Sequence, residues 1–316
     1  MKKLLIVAIG LLLIGGLLVS CAPSQPSPSP TTTTTPSPTE KKFTLGLVLS
    51  TLNNPFFVTL RDGAQAEASK QGVTLIVMDS QNDSAKEASN IEDLVSRKVD
   101  AILVNPTDAD AVVPSVKKAN DAKIPVFTID RGANGGVIVS HIASDNVAGG
   151  KMAGEYLAKA LNEKGKVVEL EGIAGTSAAR DRGKGFNEVM KNYPNIEIVA
   201  RQTADFDRAK GLSVFENILT AQSEINGVFA HNDEMVLGAI QAAEAAGRTG
   251  IIFVGFDAID DAIKAVKDGK LAATVQQQPS VMGELGVQIA VKHLKGETVE
   301  SSIPVPLKLI TKENAP

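Results

Sequence analysis

The stretches "DAILVNP" (Asp100–Pro106) and "IPVFTID" (Ile124–Asp130) are two short apolar runs, and each gives way to polar residues at its end. Unbroken runs of Val, Ile, Leu and Phe are typical of strands that are buried on both faces of a parallel sheet. Six further runs of this kind occur along the chain, and helical segments with apolar residues three and four positions apart lie between them. The sequence therefore predicts an α/β protein whose parallel sheets are covered by helices on both faces.

The same arrangement occurs twice along the chain. The runs "INGVFAHN" and "GIIFVGFD" end at Asn232 and Asp257, which are separated by the same number of positions as Asn105 and Asp130. The upstream segments "MDSQND" and "TADFD" also occupy matching places. Several matches in register are typical of an internal repeat. We therefore predict two similar doubly wound parallel-sheet lobes, each built as one βαβαβ unit.

The beginning of the chain has the pattern of a secretory signal peptide. Residues 1–20 start with two lysines and continue as an uncharged apolar run that is short for a membrane span. The run ends in "LVSC" (Leu18–Cys21), which resembles a bacterial lipobox, so Cys21 is the predicted lipidation site. The alternative is an incidental thiol beside an ordinary cleavage site. Residues 21–41, rich in Pro, Ser and Thr, are predicted to be the acylated cysteine and a disordered tether.

The remainder of the chain is long enough for two domains and carries few signs of catalysis. The net charge of -4 argues against a nucleic-acid partner. The three histidines, His141, His231 and His293, lack metal-ligand spacing. The segment "GIAGTSAARDRGKGF" (Gly172–Phe186) has neither phosphate-loop nor nucleophile-elbow spacing. We therefore expect no metal, no cofactor and no enzymatic activity.

Polar residues follow the predicted strands in both lobes. They are Ser50, Asn54, Asp130, Arg131, Asn232 and Asp257. Ligands bind at the carboxyl edge of open parallel sheets, so two facing edges would form a cleft between the lobes. In "STLNNPFF" (Ser50–Phe57), Phe56 and Phe57 would lie at the lip of this cleft. We interpret Asp83, Asp108 and Asp207, which open helical segments, as helix caps.

The chemistry of this set of side chains predicts a small polyol as the ligand. Asp, Asn and Arg side chains are planar and can pair with two adjacent hydroxyl groups, because each hydroxyl both donates and accepts a hydrogen bond. Phenyl faces suit the C–H faces of a sugar ring. A site of this kind also rejects analogues that lack the hydroxyls, since its buried polar groups would be left unpaired.

Several motifs along the folded part carry a resemblance to a known family. They include "STLNNPFF", "NPTDADAV", "IDRG", "SHIASDNVAGGKMAGEY", "ARDRG", "ADFDRAKGL", "NDEMVLGA", "GFDAIDDA" and "DGKLAATVQQQP". From about Lys42 to Lys312 the chain resembles the bacterial ribose-binding proteins, the solute receptors of ribose ABC importers. This resemblance implies the periplasmic binding protein type I fold. Its three-segment hinge would cross between the lobes near Ser144, Gln277 and Val305.

The resemblance also implies the division of the chain and its partners. The N-terminal lobe would comprise residues 42–144 and 278–306, and the C-terminal lobe residues 145–277 and 307–316. Closure around D-ribose would create the form that the membrane permease and its associated ATPase recognise. A monomer is implied, and a chemoreceptor is a further partner compatible with transport. The location would be extracytoplasmic, with contact to the membrane only through lipidated Cys21.

The resemblance implies the following ligand-binding residues: Ser50, Asn54, Phe56, Phe57, Asp130, Arg131, Arg182, Phe206, Asn232, Asp257 and Gln277. Arg180 is the alternative to Arg182, and the alignment of "R-x-R-G" favours Arg182.

Other sugars, such as allose or a furanosyl compound related to autoinducer-2, are alternatives to ribose. A regulator of the lac-repressor type is an alternative class, but the signal peptide and tether occupy the place of its helix-turn-helix.

Overall fold

The computed structural model describes residues 42–316, which form one compact unit. The predicted signal peptide, the tether and Cys21 lie outside the described residues. Within this range, none of the helices has both the length and the apolar character that crossing a membrane requires.

Helices and strands alternate along most of the described chain. In chain order the elements are β1 (Thr44–Leu49), α1 (Pro55–Lys70), β2 (Thr74–Asp79), α2 (Ser84–Ser96), β3 (Ala101–Val104), α3 (Val113–Asp121), β4 (Val126–Ile129), β5 (Ile138–Ala143), α4 (Asn146–Ala160), β6 (Gly165–Glu171), α5 (Ser177–Met190), β7 (Ile196–Thr203), α6 (Arg208–Ala221), β8 (Gly227–Ala230), α7 (Asp233–Ala245), β9 (Ile252–Asp257), α8 (Asp260–Lys267), β10 (Ala273–Gln276), α9 (Pro279–Leu294), β11 (Ser302–Pro304) and β12 (Lys308–Thr311).

The strands form two six-stranded sheets with the same order of elements. The first sheet has the order β2-β1-β3-β4-β5-β11, and the second has the order β7-β6-β8-β9-β10-β12. The first is parallel throughout, and in the second only β12 pairs antiparallel, with β10. β12 enters the second sheet directly from β11 of the first sheet, with no helix between them. The predicted α/β class with two similar doubly wound lobes is confirmed.

Each sheet is covered on both faces, as the apolar strands require. In β1, Leu45 and Leu47 pack with α1 and α9, while Val48 points to the opposite face and packs with α2 and α3. This division follows from the alternation of side chains along a strand. The second sheet likewise has one apolar cluster on each face. Both faces being buried explains why the strands read as continuous apolar runs.

The chain passes from one sheet to the other three times. It leaves the first sheet after β5 and enters α4, which packs on α5 and β9 of the second lobe. It returns after β10 into α9, which packs on α1. The third passage is the short connection between β11 and β12. The carboxyl ends of β1, β4, β6 and β9 thereby flank one cleft, where the predicted ligand residues lie.

Candidate ligand-binding site

A small cavity lies between the two lobes. It contains about 240 Å³ of space between atoms, part of which is open to solvent. Ten of the eleven residues predicted to bind the ligand line it: Asn54, Phe56, Phe57, Asp130, Arg131, Arg182, Phe206, Asn232, Asp257 and Gln277. Ala178 also lines the cavity and was missed, because a small apolar residue in a helical segment gives no signal in the sequence.

Ser50 does not lie among the lining residues, so its contact with the ligand stays a prediction. It is fully buried directly after β1, and its main chain holds neighbouring segments together. Its N–H group donates to Asn105 Oδ1 at 3.3 Å, and its carbonyl accepts from the N–H group of Asn82 at 2.6 Å. Its main-chain role is therefore to join the ends of three strands beneath the site.

The start of α1 fixes the aromatic wall of the first lobe. Asn54 is the N-cap of α1, and its Oδ1 accepts a hydrogen bond from the N–H group of Phe56 at 2.9 Å. Pro55 occupies the first turn, where its missing N–H group costs nothing. The rings of Phe56 and Phe57 meet edge to face at 5.1 Å, and both are buried. The start of α1 thus places two rigid apolar faces at the cavity.

Asp130 and Arg131 follow β4 and carry the charges of the first lobe. Asp130 Oδ2 accepts a hydrogen bond from Asn105 Nδ2 at 3.0 Å. The guanidinium group of Arg131 lies 5.2 Å from the ring centres of both Phe57 and Phe206. Because Phe206 belongs to the second lobe, this cation–π arrangement joins the two walls of the cavity.

Arg182 supplies the positive charge of the second lobe from α5. Its Nε donates to Asn146 Oδ1 at 2.8 Å, and its Nη1 donates to the carbonyl oxygen of His231 at 2.6 Å. The same Nη1 lies 3.6 Å from Asp257 Oδ1. The guanidinium group also lies 3.9 Å from the centre of the Phe256 ring. Arg182 is therefore held on several sides by the second lobe.

The structure separates the two arginines that the sequence left as alternatives. The side chain of Arg182 is 4% exposed and lines the cavity, whereas that of Arg180 is 52% exposed and pairs with Asp181. The two residues are two positions apart on α5 and therefore point in different directions. Arg182 is the arginine of the cavity.

Two of the three aspartates interpreted as helix caps serve this purpose, and Asp108 does not, because the N-cap of α3 is Val112. Asp83 and Asp207 are the N-caps of α2 and α6. Asp108 accepts hydrogen bonds from the N–H groups of Asp110 and Ala111, both at 2.8 Å, in the turn before α3.

Asn232, Asp257 and Gln277 complete the second wall. Asn232 caps α7 through a hydrogen bond from the N–H group of Met235 at 3.0 Å, and its Nδ2 lies 3.3 Å from the carbonyl oxygen of Phe206. Gln277 Nε2 donates to Asp257 Oδ1 at 2.9 Å. These contacts use part of each side chain to fix it and leave the remainder for a ligand.

The backbone is left-handed at three of the cavity residues. The φ angle is 62° at Asp130, 58° at Phe206 and 117° at Asp257. Residues other than glycine adopt such angles at a cost, and structures retain them mainly at functional sites. These residues re-aim the chain near the ends of strands: Asp130 directly follows β4, Asp257 is the last residue of β9, and Phe206 lies three positions after β7.

Three buried atoms of the lining residues have no hydrogen-bond partner among residues 42–316. They are Asp130 Oδ1, Arg131 Nε and Gln277 Oε1. Buried polar atoms are nearly always paired, so unpaired ones at a cavity indicate where a ligand binds. The set contains two acceptors and one donor. A ligand that both donates and accepts hydrogen bonds, as a polyol does, satisfies all three.

Burial shifts the ionisation of the charged residues in the cavity. It raises the pKa of Asp257 to about 7, although nearby Arg182 opposes the shift, and it raises the pKa of Asp130, where Arg131 opposes the shift. Burial also lowers the pKa of Arg131 to about 10 and lowers the pKa of Arg182. All four shifts have the same leading cause, the loss of water around a charged group.

Two hydrogen bonds join the lobes beside the cavity. The N–H group of Ala109 donates to the carbonyl oxygen of Gly175 at 3.0 Å, and the N–H group of Gly132 donates to Ser177 Oγ at 2.8 Å. Gly175 has φ +89°, and a Cβ atom there would overlap the carboxylate of Asp108. A side chain at position 175 would therefore require the Asp108 carboxylate to move. We call these two bonds the interlobe latch.

Two α/β lobes that close on a small polar cavity define a ligand-binding receptor. The chain belongs to the family described as periplasmic binding protein domain, whose model matches residues 45–298. The predictions of a binding protein without enzymatic activity and of an extracytoplasmic location are confirmed by this membership.

Three similar proteins illustrate the relationship. The chain is 57% identical over 272 residues to the ribose import binding protein RbsB of Salmonella typhimurium, covering 86% of this chain and 92% of that protein. A Bacillus halodurans solute-binding protein with bound myo-inositol superposes with a TM-score of 0.84 at 35% identity. The match covers 88% of this chain and 98% of that protein. An Actinobacillus succinogenes solute-binding protein with bound D-allose has a TM-score of 0.81 at 34% identity. That match covers 86% of this chain and 98% of the other protein. These comparisons confirm the resemblance stated from the sequence.

Substitution of Gly175 tests the interlobe latch. We expect Gly175→Ala to hold the lobes apart, because the added methyl group would collide with Asp108. Small-angle X-ray scattering of the ligand-free protein should then give a larger radius of gyration than for the wild type. Gly296→Ala is the matched control, because Gly296 has φ +83° and no atom within 4 Å of an added Cβ. An unchanged radius in Gly175→Ala would contradict the role of the latch.

The raised pKa of Asp257 predicts a pH dependence of stability. Between the ordinary value of 3.8 and about 7, the folded protein holds a proton that the unfolded chain has lost. This contribution to stability is complete below the ordinary value and disappears as the pH rises through about 7. In ligand-free Asp257→Asn, the slope of unfolding free energy against pH should be less negative by about 1.4 kcal/mol per pH unit within this range, because the contribution of Asp257 is removed.

Urea unfolding at pH 5, 6 and 7 measures this slope. The neighbouring Asp233 carboxyl also has a raised pKa, so it too makes the unfolding free energy fall as the pH rises. This contribution remains in Asp257→Asn. Asp62→Asn, at a carboxylate whose side chain is 62% exposed, is the control. Identical slopes in Asp257→Asn and the wild type would mean that Asp257 is ionised throughout the range.

Proposed function

We propose that this chain is an extracytoplasmic receptor that binds D-ribose and delivers it to an ABC importer by closing around the sugar. The observation that carries the proposal is the meeting of ten residues in one cavity. These are the residues that the resemblance implies for ribose, apart from Ser50. The 57% identity to a ribose import binding protein supports the same sugar.

The cavity suits a pentose because some of its side chains offer apolar faces and others offer hydrogen-bond donors and acceptors. Phe56, Phe57 and Phe206 offer apolar faces for the C–H groups of the ring. Asp130 Oδ1 and Gln277 Oε1 would accept hydrogen bonds from hydroxyl groups. Arg131 Nε would donate to a hydroxyl or ring oxygen. Ribose would thus pair the buried atoms that lack partners.

The cellular setting is part of the proposal. The "LVSC" segment supports acylation of Cys21, which would attach the receptor to the membrane through the tether of residues 21–41. The permease and its ATPase would recognise the closed form, so that transport depends on occupancy. A chemoreceptor is a further partner of the same closed form, and the receptor would act as a monomer.

Isothermal titration of residues 42–316 with ribose, allose, xylose, galactose and glucose tests the function. We expect roughly one-to-one binding confined to ribose, because the fixed donors and acceptors match one arrangement of hydroxyl groups. Preferred binding of allose or another sugar would keep the receptor class and overturn the assignment of ribose. No heat and no thermal shift with any sugar would remove the sugar-binding proposal altogether.

Substitution of the two neighbouring arginines tests the assignment of the cavity. We expect Arg182→Ala to weaken ribose binding by about 100-fold or more, because it removes a buried charge beside Asp257 and leaves that carboxylate without its cation. Arg180→Ala is the matched control on the same helix and should stay within about twofold. Titration calorimetry measures both. Equal losses in the two variants would refute the assignment.

A further inference from the structure

His231 precedes the cavity residue Asn232 but does not contact the proposed sugar site with its own ring. The residue is 1% exposed and directly follows β8. Its Nδ1 lies 3.3 Å from the N–H group of Gly172, and its Nε2 lies 3.1 Å from Glu169 Oε1. Both ring nitrogens therefore have partners inside the second lobe.

The two partners determine which ring nitrogen carries the proton. The N–H group of Gly172 can only donate, so Nδ1 of His231 must be the acceptor. Nε2 then carries the hydrogen and donates it to the carboxylate of Glu169. The imidazole is thus held in one tautomer and one orientation, with a peptide group on one side and a carboxylate on the other.

Glu169 is itself held firmly, which makes it a rigid support for the imidazole. The side chain is fully buried, and its oxygens accept hydrogen bonds from Asn187 Nδ2 at 3.1 and 3.0 Å and from Arg201 Nε at 2.7 Å. Burial alone would raise the pKa of Glu169, but the hydrogen bonds from His231 and Arg201 and the charge of Arg201 outweigh burial and lower the pKa. The carboxylate therefore stays ionised beneath the ring.

Three side chains of the cavity depend on the position of His231. Its carbonyl oxygen accepts the 2.6 Å hydrogen bond from Arg182 Nη1, and Asn232 is the next residue of the chain. Gly172, held by the imidazole, lies so close to the ring of Phe206 that a Cβ atom at position 172 would overlap it. One buried ring thus supports an arginine, an amide and a phenyl face of the same wall.

We infer that His231, held by Glu169, is a positioning residue that sets the second-lobe wall of the cavity for its ligand. The inference rests on the proposed function and deepens it. It assigns a role to a side chain outside the cavity, which the sequence singled out only as a histidine without metal-ligand spacing. Loss of the imidazole would release Gly172 and leave a carboxylate buried without one of its donors.

The test compares His231→Leu with His231→Gln. Glutamine offers one acceptor for Gly172 and one donor for Glu169, whereas leucine offers neither. We expect His231→Leu to weaken ribose binding by about 10–100-fold and His231→Gln to stay within about threefold of the wild type. Titration calorimetry is the measurement, on protein whose folded fraction has been checked by thermal unfolding. His293→Leu, which changes a histidine on α9 outside the cavity lining, is the matched control.

A merely structural role would lower the melting temperature of His231→Leu without changing its affinity, and this result would overturn the inference. Equal affinities of the leucine and glutamine variants would do the same. Should His231→Leu fail to fold, His231→Asn takes its place, because the shorter amide cannot reach Gly172 and Glu169 together. The expected fall in affinity is the same.

A second measurement does not depend on the identity of the ligand. Nitrogen-15 NMR of the histidine rings should show the proton of His231 on Nε2 and none on Nδ1. The signal is assigned by its disappearance in His231→Gln. A proton on Nδ1 would overturn the inference whether or not ribose binds. Absence of ribose binding in the wild type would instead count against the proposed function, and the tautomer would still test the support of Gly172.

Discussion

Two aspartates and two arginines are buried together where the sheets meet, and the surrounding structure compensates for the water that they have lost. Removing charged groups from water is costly unless each has partners nearby. Asp130 and Arg131 come from the first lobe, and Arg182 and Asp257 come from the second. Their direct contacts do not satisfy every polar atom. A polar ligand would form hydrogen bonds with the remaining unpaired atoms. Ligand binding would therefore offset part of the free-energy cost of burying these charged groups.

The two lobes hold these charges by different means. In the first lobe, Asp130 and Arg131 follow a strand end directly, and the guanidinium group lies between phenyl rings of both lobes. In the second lobe, Arg182 stands on a helix and depends on Asn146 and the carbonyl oxygen of His231 for its direction. A ligand would therefore meet one wall fixed by strand geometry and another fixed by a buried hydrogen-bond network.

Most of the fold and much of the cavity could be predicted from the sequence, for identifiable reasons. Continuous apolar runs specify parallel strands, and the residues after those strands, such as Asp130 and Asp257, must lie at the carboxyl edge of a sheet. Arg182 lies inside a helix, so periodicity gives no sign of its role, and it was named only through the resemblance. Ser50 lies outside the cavity lining and stays a prediction, because a strand end does not reveal which way its next side chain points. The latch contact between Ala109 and Gly175 and the antiparallel β12 depend on how distant segments meet, which no local pattern encodes.

The left-handed backbone at Asp130, Phe206 and Asp257 restricts how the receptor can evolve. Such angles are accepted more readily by Asn, Asp and Gly than by β-branched residues. A change from aspartate to asparagine keeps the turn and alters only which hydrogen bonds the position donates or accepts. A change to valine or isoleucine would force the backbone out of the left-handed region and change the direction of the chain at the strand end. We therefore expect descendants of this receptor to acquire new ligands by exchanging donors for acceptors within a cavity of nearly constant size.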